Sequence, residues 1–416
     1  MNNLVILIFT LDTLRLDINL AYKISLANNF GYKEEVEREK LSNILFYKSL
    51  FSYMPNLSIS GSYSDVKRED FISSRENYSL TLDFSQNIFS PLSLRNIVQN
   101  FYSKNIQRFL RIDEKKKLFL NVLDKYLELL KAEKILNLRE KSLKRAYENS
   151  KIFEEKYKLN AISKLDYLNS IINLRAKEID YKEAVKNIQD RKWGLLLILG
   201  IREEKIILLE EPEFKEEKID YEFEELLKIT QDKKEIILSL KESKKSAFSD
   251  FLFSSLSFLP EFKWGYYFTY QDTIFPKSYN YLRENFEKCK GFYFSFNFKF
   301  FDYPFDVVKE RKNYEIQKIY LEKNLFELYE EIENAVTSLN LAKENILLSN
   351  SYLEAAKEGY NLADAEYKVG KISYVEFLKA EESLLDAELK YISSKYDYIK
   401  YKYTLLFLTG LLEEVR

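Results

Sequence analysis

Hydrophobic and polar residues alternate strictly in four stretches of the chain. Leu57, Ile59, Gly61 and Tyr63 are interleaved with Ser58, Ser60, Ser62 and Ser64. After a charged loop, Asp65 to Asn77, the residues Tyr78, Leu80, Leu82 and Phe84 alternate with Ser79, Thr81, Asp83 and Ser85. Trp264, Tyr266, Phe268 and Tyr270 form one side of a third stretch, and Phe292, Phe294, Phe296, Phe298 and Phe300 one side of a fourth. Period two makes a strand with one apolar and one polar face. The pattern predicts strands over 57–64, 78–86, 262–271 and 291–300, and no other β structure.

Elsewhere the period is helical. Leu92 to Leu159 holds neither proline nor glycine, and apolar side chains recur three and four apart, as at Phe119, Leu123, Tyr126 and Leu130. Phe305 to Val369 reads the same way, interrupted by Gly359. At 1.5 Å per residue a helix over 92–159 is a rod of roughly 100 Å. Each rod, 92–159 and 305–369, leads through a short break into a second helix, 163–199 and 373–409. Gly200 and Gly410 stop these, in the position beyond a helix end where glycine is favoured. A further helix precedes each strand pair, about 19–53 and 221–256, with Asp17 and Asp220 as favourable N-terminal charges. Pro91 and Pro304 stand where strand hands over to helix.

The chain repeats itself. Tyr157-Lys158-Leu159-Asn160-Ala161-Ile162-Ser163 aligns with Tyr367-Lys368-Val369-Gly370-Lys371-Ile372-Ser373 at an offset of 210 residues. The same offset carries Leu168 onto Leu378, Leu174 onto Leu384, Tyr181 onto Tyr391 and Gly200 onto Gly410. Upstream, Met54-Pro55-Asn56-Leu57 resembles Leu259-Pro260-Glu261-Phe262. This is a tandem duplication. It divides the chain into a first repeat over 16–212, a second over 213–416, and an N-terminal segment, 1–15, left outside both. Within 1–15, the apolar run Leu4 to Leu11 lacks a preceding basic residue, which leaves a buried first segment and a remnant signal peptide as alternatives.

Composition removes whole classes of function. With no histidine and one cysteine, Cys289, there is no usual zinc site, histidine relay or internal disulfide. No catalytic, cofactor-binding or metal-ligating constellation emerges, so the chain reads as no enzyme and as needing no cofactor. A formal net charge of −2 gives no electrostatic case for nucleic acid. No apolar run approaches the ~18–20 residues of a membrane-spanning helix. The strands are the exception to this aqueous picture. At about nine to eleven residues with an apolar and a polar face they match membrane-barrel strands, and four cannot close a barrel, since the smallest have about eight. An open edge in lipid leaves backbone groups unsatisfied, so closure requires several chains. The number of copies, two, three or four, stays open at this level. A soluble coiled-coil scaffold or a periplasmic adaptor-like structural protein is the alternative, and it leaves the aromatic strand faces uncovered.

The order helix, strand pair, long helix, tip, helix, glycine, repeated once, resembles the TolC-type outer-membrane efflux and secretion channels from Leu16 to Leu411. The most specific parts are the tips, Tyr157 to Leu168 and Tyr367 to Leu378. Leu16-Asp17-Ile18-Asn19-Leu20-Ala21 resembles the start of the mature chain in that family, which favours a clipped signal segment at Leu4 to Leu11. The resemblance implies a mainly α fold in which duplicated helical hairpins from three chains form a periplasmic α-barrel, with four strands per chain completing a shared twelve-stranded barrel in the outer membrane. It implies a homotrimeric exit duct of a tripartite efflux pump or type I secretion system. Its partners would be outer-membrane lipid, a periplasmic adaptor (membrane fusion protein) and an inner-membrane pump of RND, ABC or MFS type. The implied adaptor-docking residues are Tyr157, Asn160, Ile162 and Ser163 at one tip and Tyr367, Gly370, Ile372 and Ser373 at the other. A periplasmic aperture falls to Asp166, Glu376 and Lys379. Where the family often carries two aspartates, Glu376 keeps the charge and Lys379 reverses it, which sets an inherited cation-binding ring in question, although Glu381 and Glu382 lie one turn on. The plainer readings stand beside these: the tips as chain reversals, Asp166 and Glu376 as ordinary helix N-terminal charges.

Overall fold

The computed structural model describes residues 13–66, 75–203, 205–212, 222–285, 287–295 and 301–412. In chain order the elements are β1 (Thr13–Leu16), α1 (Ile18–Asn28), α2 (Phe30–Leu50), β2 (Asn56–Val66), β3 (Arg75–Phe89), α3 (Pro91–Lys158) and α4 (Lys164–Ile198). Then come β4 (Ile206–Leu209), α5 (Phe223–Lys233), α6 (Glu235–Ser255), β5 (Glu261–Asp272), α7 (Tyr279–Asn285), β6 (Glu287–Ser295), α8 (Tyr303–Lys368) and α9 (Tyr374–Leu408). The architecture is mainly helical with a small β part. Two compact units partition the described residues. One draws on Met1–Glu35, Arg111–Ile237 and Leu325–Arg416, the other on Val36–Leu110 and Leu238–Asn324. Each therefore mixes segments of both sequence repeats.

The strand-bearing unit holds an antiparallel sheet in the order β2-β3-β5-β6. Register brings the apolar positions into one face: Leu57 opposite Phe84 and Phe84 opposite Tyr266, then Ile59 opposite Leu82 and Leu82 opposite Phe268. The other face is polar, with Ser60 opposite Thr81 and Thr81 opposite Thr269, whose hydroxyls lie 3.4 Å apart. The strands meet helices at a tight junction. Ser90 caps α3 by accepting the Ser93 N–H at 3.2 Å, while its hydroxyl donates to Glu261 at 2.9 Å. Below it, Arg95 joins three helices, with Asp250 of α6 at 2.9 Å and Glu310 of α8 at 3.2 Å.

The other unit contains the main apolar core. Phe119, Val122, Leu123, Tyr126 and Leu130 of α3 pack with Leu195 and Leu199 of α4 and with Tyr396 and Ile399 of α9. Their spacing of three and four is the helical stripe visible in the sequence. Against this stripe lies a two-stranded parallel sheet, β1 with β4, in which Leu16 faces Leu209. Tyr126, fully buried, holds it in place. Its hydroxyl lies 2.8 Å from the Leu16 carbonyl and 2.6 Å from the Glu210 carbonyl, and accepts the Glu210 N–H at 3.0 Å. Burial pushes this phenol up to about 12, against the lowering effect of the Glu210 bond, so it keeps its proton as donor.

Several sequence expectations are corrected here. The sheet β1·β4 was not expected; four-residue strands are too short to show a period. The helices expected as unbroken over 19–53 and 221–256 are each broken, at Asn29 and at Lys234. Both breaks sit against a helix end. A Cβ on Gly200 would meet the Cβ of Asn28 at 2.7 Å, and one on Gly410 would meet the Lys233 carbonyl carbon at 2.8 Å. Both glycines also have positive φ, 69° and 72°. The stretch between the third and fourth expected strands carries structure of its own, because β5 runs to Asp272, α7 follows, and β6 begins at Glu287, so Cys289 is in a strand. Of the strand expected over 291–300, residues 296–300 lie outside the described residues, as do most of the segment 1–15 and Asp220.

Tyr126→Phe tests the buried hydroxyl. Losing it leaves the Glu210 carbonyl without this donor, while the Glu210 N–H and the Leu16 carbonyl keep each other at 3.0 Å, and is expected to cost about 1–3 kcal/mol. A thermal unfolding midpoint equal to that of the parent would show that these bonds contribute nothing.

Candidate functional site at the helical tips

Both hairpin tips are built alike, and local hydrogen bonding explains why. At the end of α3, Asn160 N–H donates to Tyr157 O at 2.9 Å and Ala161 N–H to Lys156 O at 2.8 Å. At the end of α8, Gly370 N–H donates to Tyr367 O at 3.0 Å and Lys371 N–H to Glu366 O at 2.9 Å. These paired bonds close a helix through a residue of positive φ, here Asn160 at 55° and Gly370 at 75°. Asparagine is among the non-glycine residues that tolerate this region best. Three residues on, Ser163 and Ser373 begin α4 and α9, each accepting a backbone N–H on its hydroxyl, from Asp166 and Glu376 respectively.

Glu376 reaches back to the Ser373 N–H at 2.8 Å and completes a capping box; Asp166, one methylene shorter, takes the Ser163 hydroxyl proton at 2.7 Å instead. The bond from the Ser373 N–H, then its hydroxyl and the charge of Lys379, hold the Glu376 carboxyl below its ordinary 4.5. A depressed carboxylate of this kind stabilises the first turn of α9 above pH 4.5, and that contribution is lost as pH falls through the folded value. Of the two expected aperture carboxylates, Glu376 is thus part of the cap of α9, and Asp166 holds the hydroxyl of the serine that caps α4.

The two tips lie side by side on an aromatic cluster. Phe153 of α3 packs against Tyr374 of α9, ring centroids 4.3 Å apart, and Tyr367 stacks on Phe377 at 5.1 Å. Ile162 and Ile372, one from each tip, pack on the same cluster, while Tyr157 stacks on Tyr167 at 4.9 Å. Burial raises the Tyr367 phenol, and the Asp166 charge raises it further. Burial pushes Tyr374 up to about 12, against a contact with Asn173. Asn160, Ser163, Gly370 and Ser373 are exposed, as are Glu376 and Lys379; Leu159 and Val369 are 78% and 69% exposed at the apices.

The structure separates Glu381 from the aperture candidates. It is 2% exposed, and Arg145 Nε donates to it at 2.6 Å from α3. The Arg145 guanidinium lies 5.9 Å from the Tyr360 ring centre. Glu382 stays at the surface, 3.8 Å from the buried Lys177. Sequence reasoning missed Phe153, Tyr374, Arg145 and Tyr360. The spacing of Tyr360, Tyr367, Tyr374 and Phe377, three or seven apart, is the signal that could have marked this face. Among the described residues no acidic or cysteine cluster could hold a metal, and no helix is long and apolar enough to cross a membrane.

Residues 306–411 match the family described as outer membrane efflux protein. A search of the curated proteins finds no match. Among solved structures, the CmeC outer membrane channel of Campylobacter jejuni is similar at 17% identity and a TM-score of 0.79, covering 94% of this chain and 85% of that one. CusC aligns at 14% identity and 0.78, covering 94% and 92%. VceC of Vibrio cholerae aligns at 16% identity and 0.76, covering 94% and 96%. The fold of this chain is that of the outer-membrane channels, and the resemblance to the TolC-type family is borne out.

Two predictions attach to this site. Arg145→Ala leaves Glu381 buried without its cation and is expected to lower stability by about 3 kcal/mol, more than Glu381→Ala, which leaves the half-exposed arginine free to reach water. Thermal unfolding of both variants measures the difference, and equal effects would show that burial of Glu381 is not the cause. Hydrogen exchange at the Glu376 and Phe377 amides is expected to be faster in Glu376→Ala than in the parent at pH 7, with the difference vanishing well below pH 4.5; a difference that persisted in acid would contradict the capping role.

Proposed function

We propose that three copies of this chain form a passive exit duct through the outer membrane, serving a tripartite efflux pump or a type I secretion system. The observation that carries this reading is the sheet. Its apolar face runs across β2, β3 and β5, with Leu57 and Ile59 68% and 69% exposed, and its outer edges on β2 and β6 have no partner strand among the described residues. An apolar face of this width favours lipid, and lipid tolerates no open edge. Pairing β6 of one copy with β2 of the next, head to tail, closes a ring. Three copies supply twelve strands, with polar residues such as Ser60, Thr81 and Thr269 turned to the bore.

The repeat supports the same head-to-tail contact. Within the chain, α6 is wedged between α3 and α8: Asn105 donates to Glu242 at 3.1 Å, and Phe248 packs on Tyr314 at 5.3 Å. Its counterpart α2 touches α3 through Phe46 and Phe101, 6.0 Å apart, but Leu41 and Ile44 are exposed. On α8, Ile316 and Ile319 are exposed as well. A sister copy that sets its α2 against this α8 repeats between chains the contact that α6 makes within one.

At the tips, exposed Leu159 and Val369 beside Asn160, Gly370, Ser163 and Ser373 offer docking points to the hairpin of a periplasmic adaptor, which joins the duct to an inner-membrane pump. Asp166 and Glu376 ring the aperture and Lys379 tempers its negative charge. The fold match and the family match over 306–411 support an efflux role for the duct.

Purified protein is expected to migrate as a heat-sensitive trimer and to conduct ions in planar bilayers, with larger conductance in the double variant Asp166→Ala/Glu376→Ala. A water-soluble monomer without current would overturn the duct; unchanged conductance and selectivity in the double variant would remove these two residues from the aperture.

A further inference from the structure

The connection between β5 and β6 does not arch freely above the sheet. Tyr270 is on the apolar face, opposite Leu80, yet it is only 1% exposed. The loop itself covers it. The Tyr270 hydroxyl donates to the Ile274 carbonyl at 2.6 Å, and its ring lies 6.3 Å from Tyr281 of α7. Phe275 then packs edge-on against Tyr78 at 5.5 Å, and Tyr78 lies against Tyr63 at 4.9 Å, both tyrosines being apolar-face residues of β3 and β2. Asp272 fastens the fold-back, accepting the Tyr281 hydroxyl at 3.1 Å and the Thr273 N–H at 2.6 Å. The chain between β5 and α7 is therefore laid down over the apolar side of the strand ends, away from the polar side.

We propose that this loop seats in the headgroup layer of the outer leaflet, with Ile274, Phe275 and Tyr279 entering the interface and Lys277 and Arg283 pairing with lipid phosphates. The inference rests on the outer-membrane duct reading, which turns the apolar face to lipid and puts the strand ends far from the helices at the outer surface. Ile274, Phe275 and Tyr279 are 49%, 65% and 77% exposed although they continue the face that lipid covers. Aromatic side chains with an apolar body and a polar tip concentrate at such interfaces. Residues 273–285 carry the exposed Lys277 and Arg283 against Glu284 alone, so the loop is net cationic where headgroup phosphates are anionic. The same geometry leaves the mouth of the bore uncovered by this loop.

Tryptophan quenching by brominated lipid tests this on the reconstituted full chain, each variant being read against the parent, which carries Trp193 and Trp264. Phe275→Trp is expected to be quenched by bromines near the headgroup, and Ile59→Trp, on the strand face, by bromines deep in the acyl chains. Quenching of Ile59→Trp without Phe275→Trp overturns the loop inference and leaves the barrel intact; quenching of neither overturns both. In mixed vesicles, brominated phosphatidylglycerol is expected to quench Phe275→Trp more strongly than brominated phosphatidylcholine. Adding Lys277→Gln and Arg283→Gln is expected to reduce that preference by about fivefold for each cation removed. An unaltered preference would overturn the phosphate pairing.

Discussion

Backbone hydrogen bonding at the two sheet edges that have no partner strand among the described residues constrains the rest of this chain. The edges of β2 and β6 could be satisfied by water, but the face between them, lined by Leu57, Leu82, Phe84 and Phe268, is suited to hydrocarbon. Water and hydrocarbon cannot both be had by one isolated copy. In the proposed duct, sister strands resolve the conflict by replacing water at the edges while leaving the apolar face where it is. The exposed stripes on α2 and α8 fit the same solution, since an apolar surface left over in one chain becomes an interface once the chain is one of several.

The duplication preserves geometry more faithfully than chemistry. Each repeat breaks its short helix where a glycine-ended helix abuts it. In the first, Asn29 does this with neutral groups, accepting the Tyr32 N–H at 3.0 Å. In the second, Lys234 is buried, 2.8 Å from Asp113 and stacked 3.3 Å over Phe407. Burial lowers its pKa, opposed by the Asp113 charge. Two unrelated sets of interactions thus hold one backbone shape. The tips show the same divergence on a smaller scale, because aspartate and glutamate occupy one capping position and only the longer side chain closes the box.

Strands and long helices were legible because each carries a period over many residues. The alternation at Leu57, Ile59 and Tyr63 and the unbroken run from Leu92 to Leu159 could hardly be read otherwise. What was not legible is what depends on contact between distant segments. The parallel pair β1·β4 joins residues nearly two hundred positions apart and is too short for any pattern. The helix break at Lys234 has no proline or glycine of its own, and the one at Asn29 has only Gly31, inside the helix that follows; the glycine that demands room stands at the end of another helix. At the tips, the offset of 210 residues exposed Asn160, Gly370, Asp166 and Glu376, whereas Phe153 and Arg145 matter through partners on α9 that no local window contains.

Tyr126 has a consequence for the order in which the chain can assemble. Its hydroxyl joins Leu16, near the beginning, to Glu210, in the connection between the repeats, and the core beneath it also requires Tyr396 and Ile399. A polypeptide delivered from its N-terminus cannot finish this core until almost its whole length has arrived. β1 has no partner strand until residues 206–209 arrive, and the apolar stripe of α3 lacks its α9 neighbours until the end, so part of the core stays uncovered as the chain emerges. Contacts so far apart along the chain slow closure through the entropy of the intervening segment.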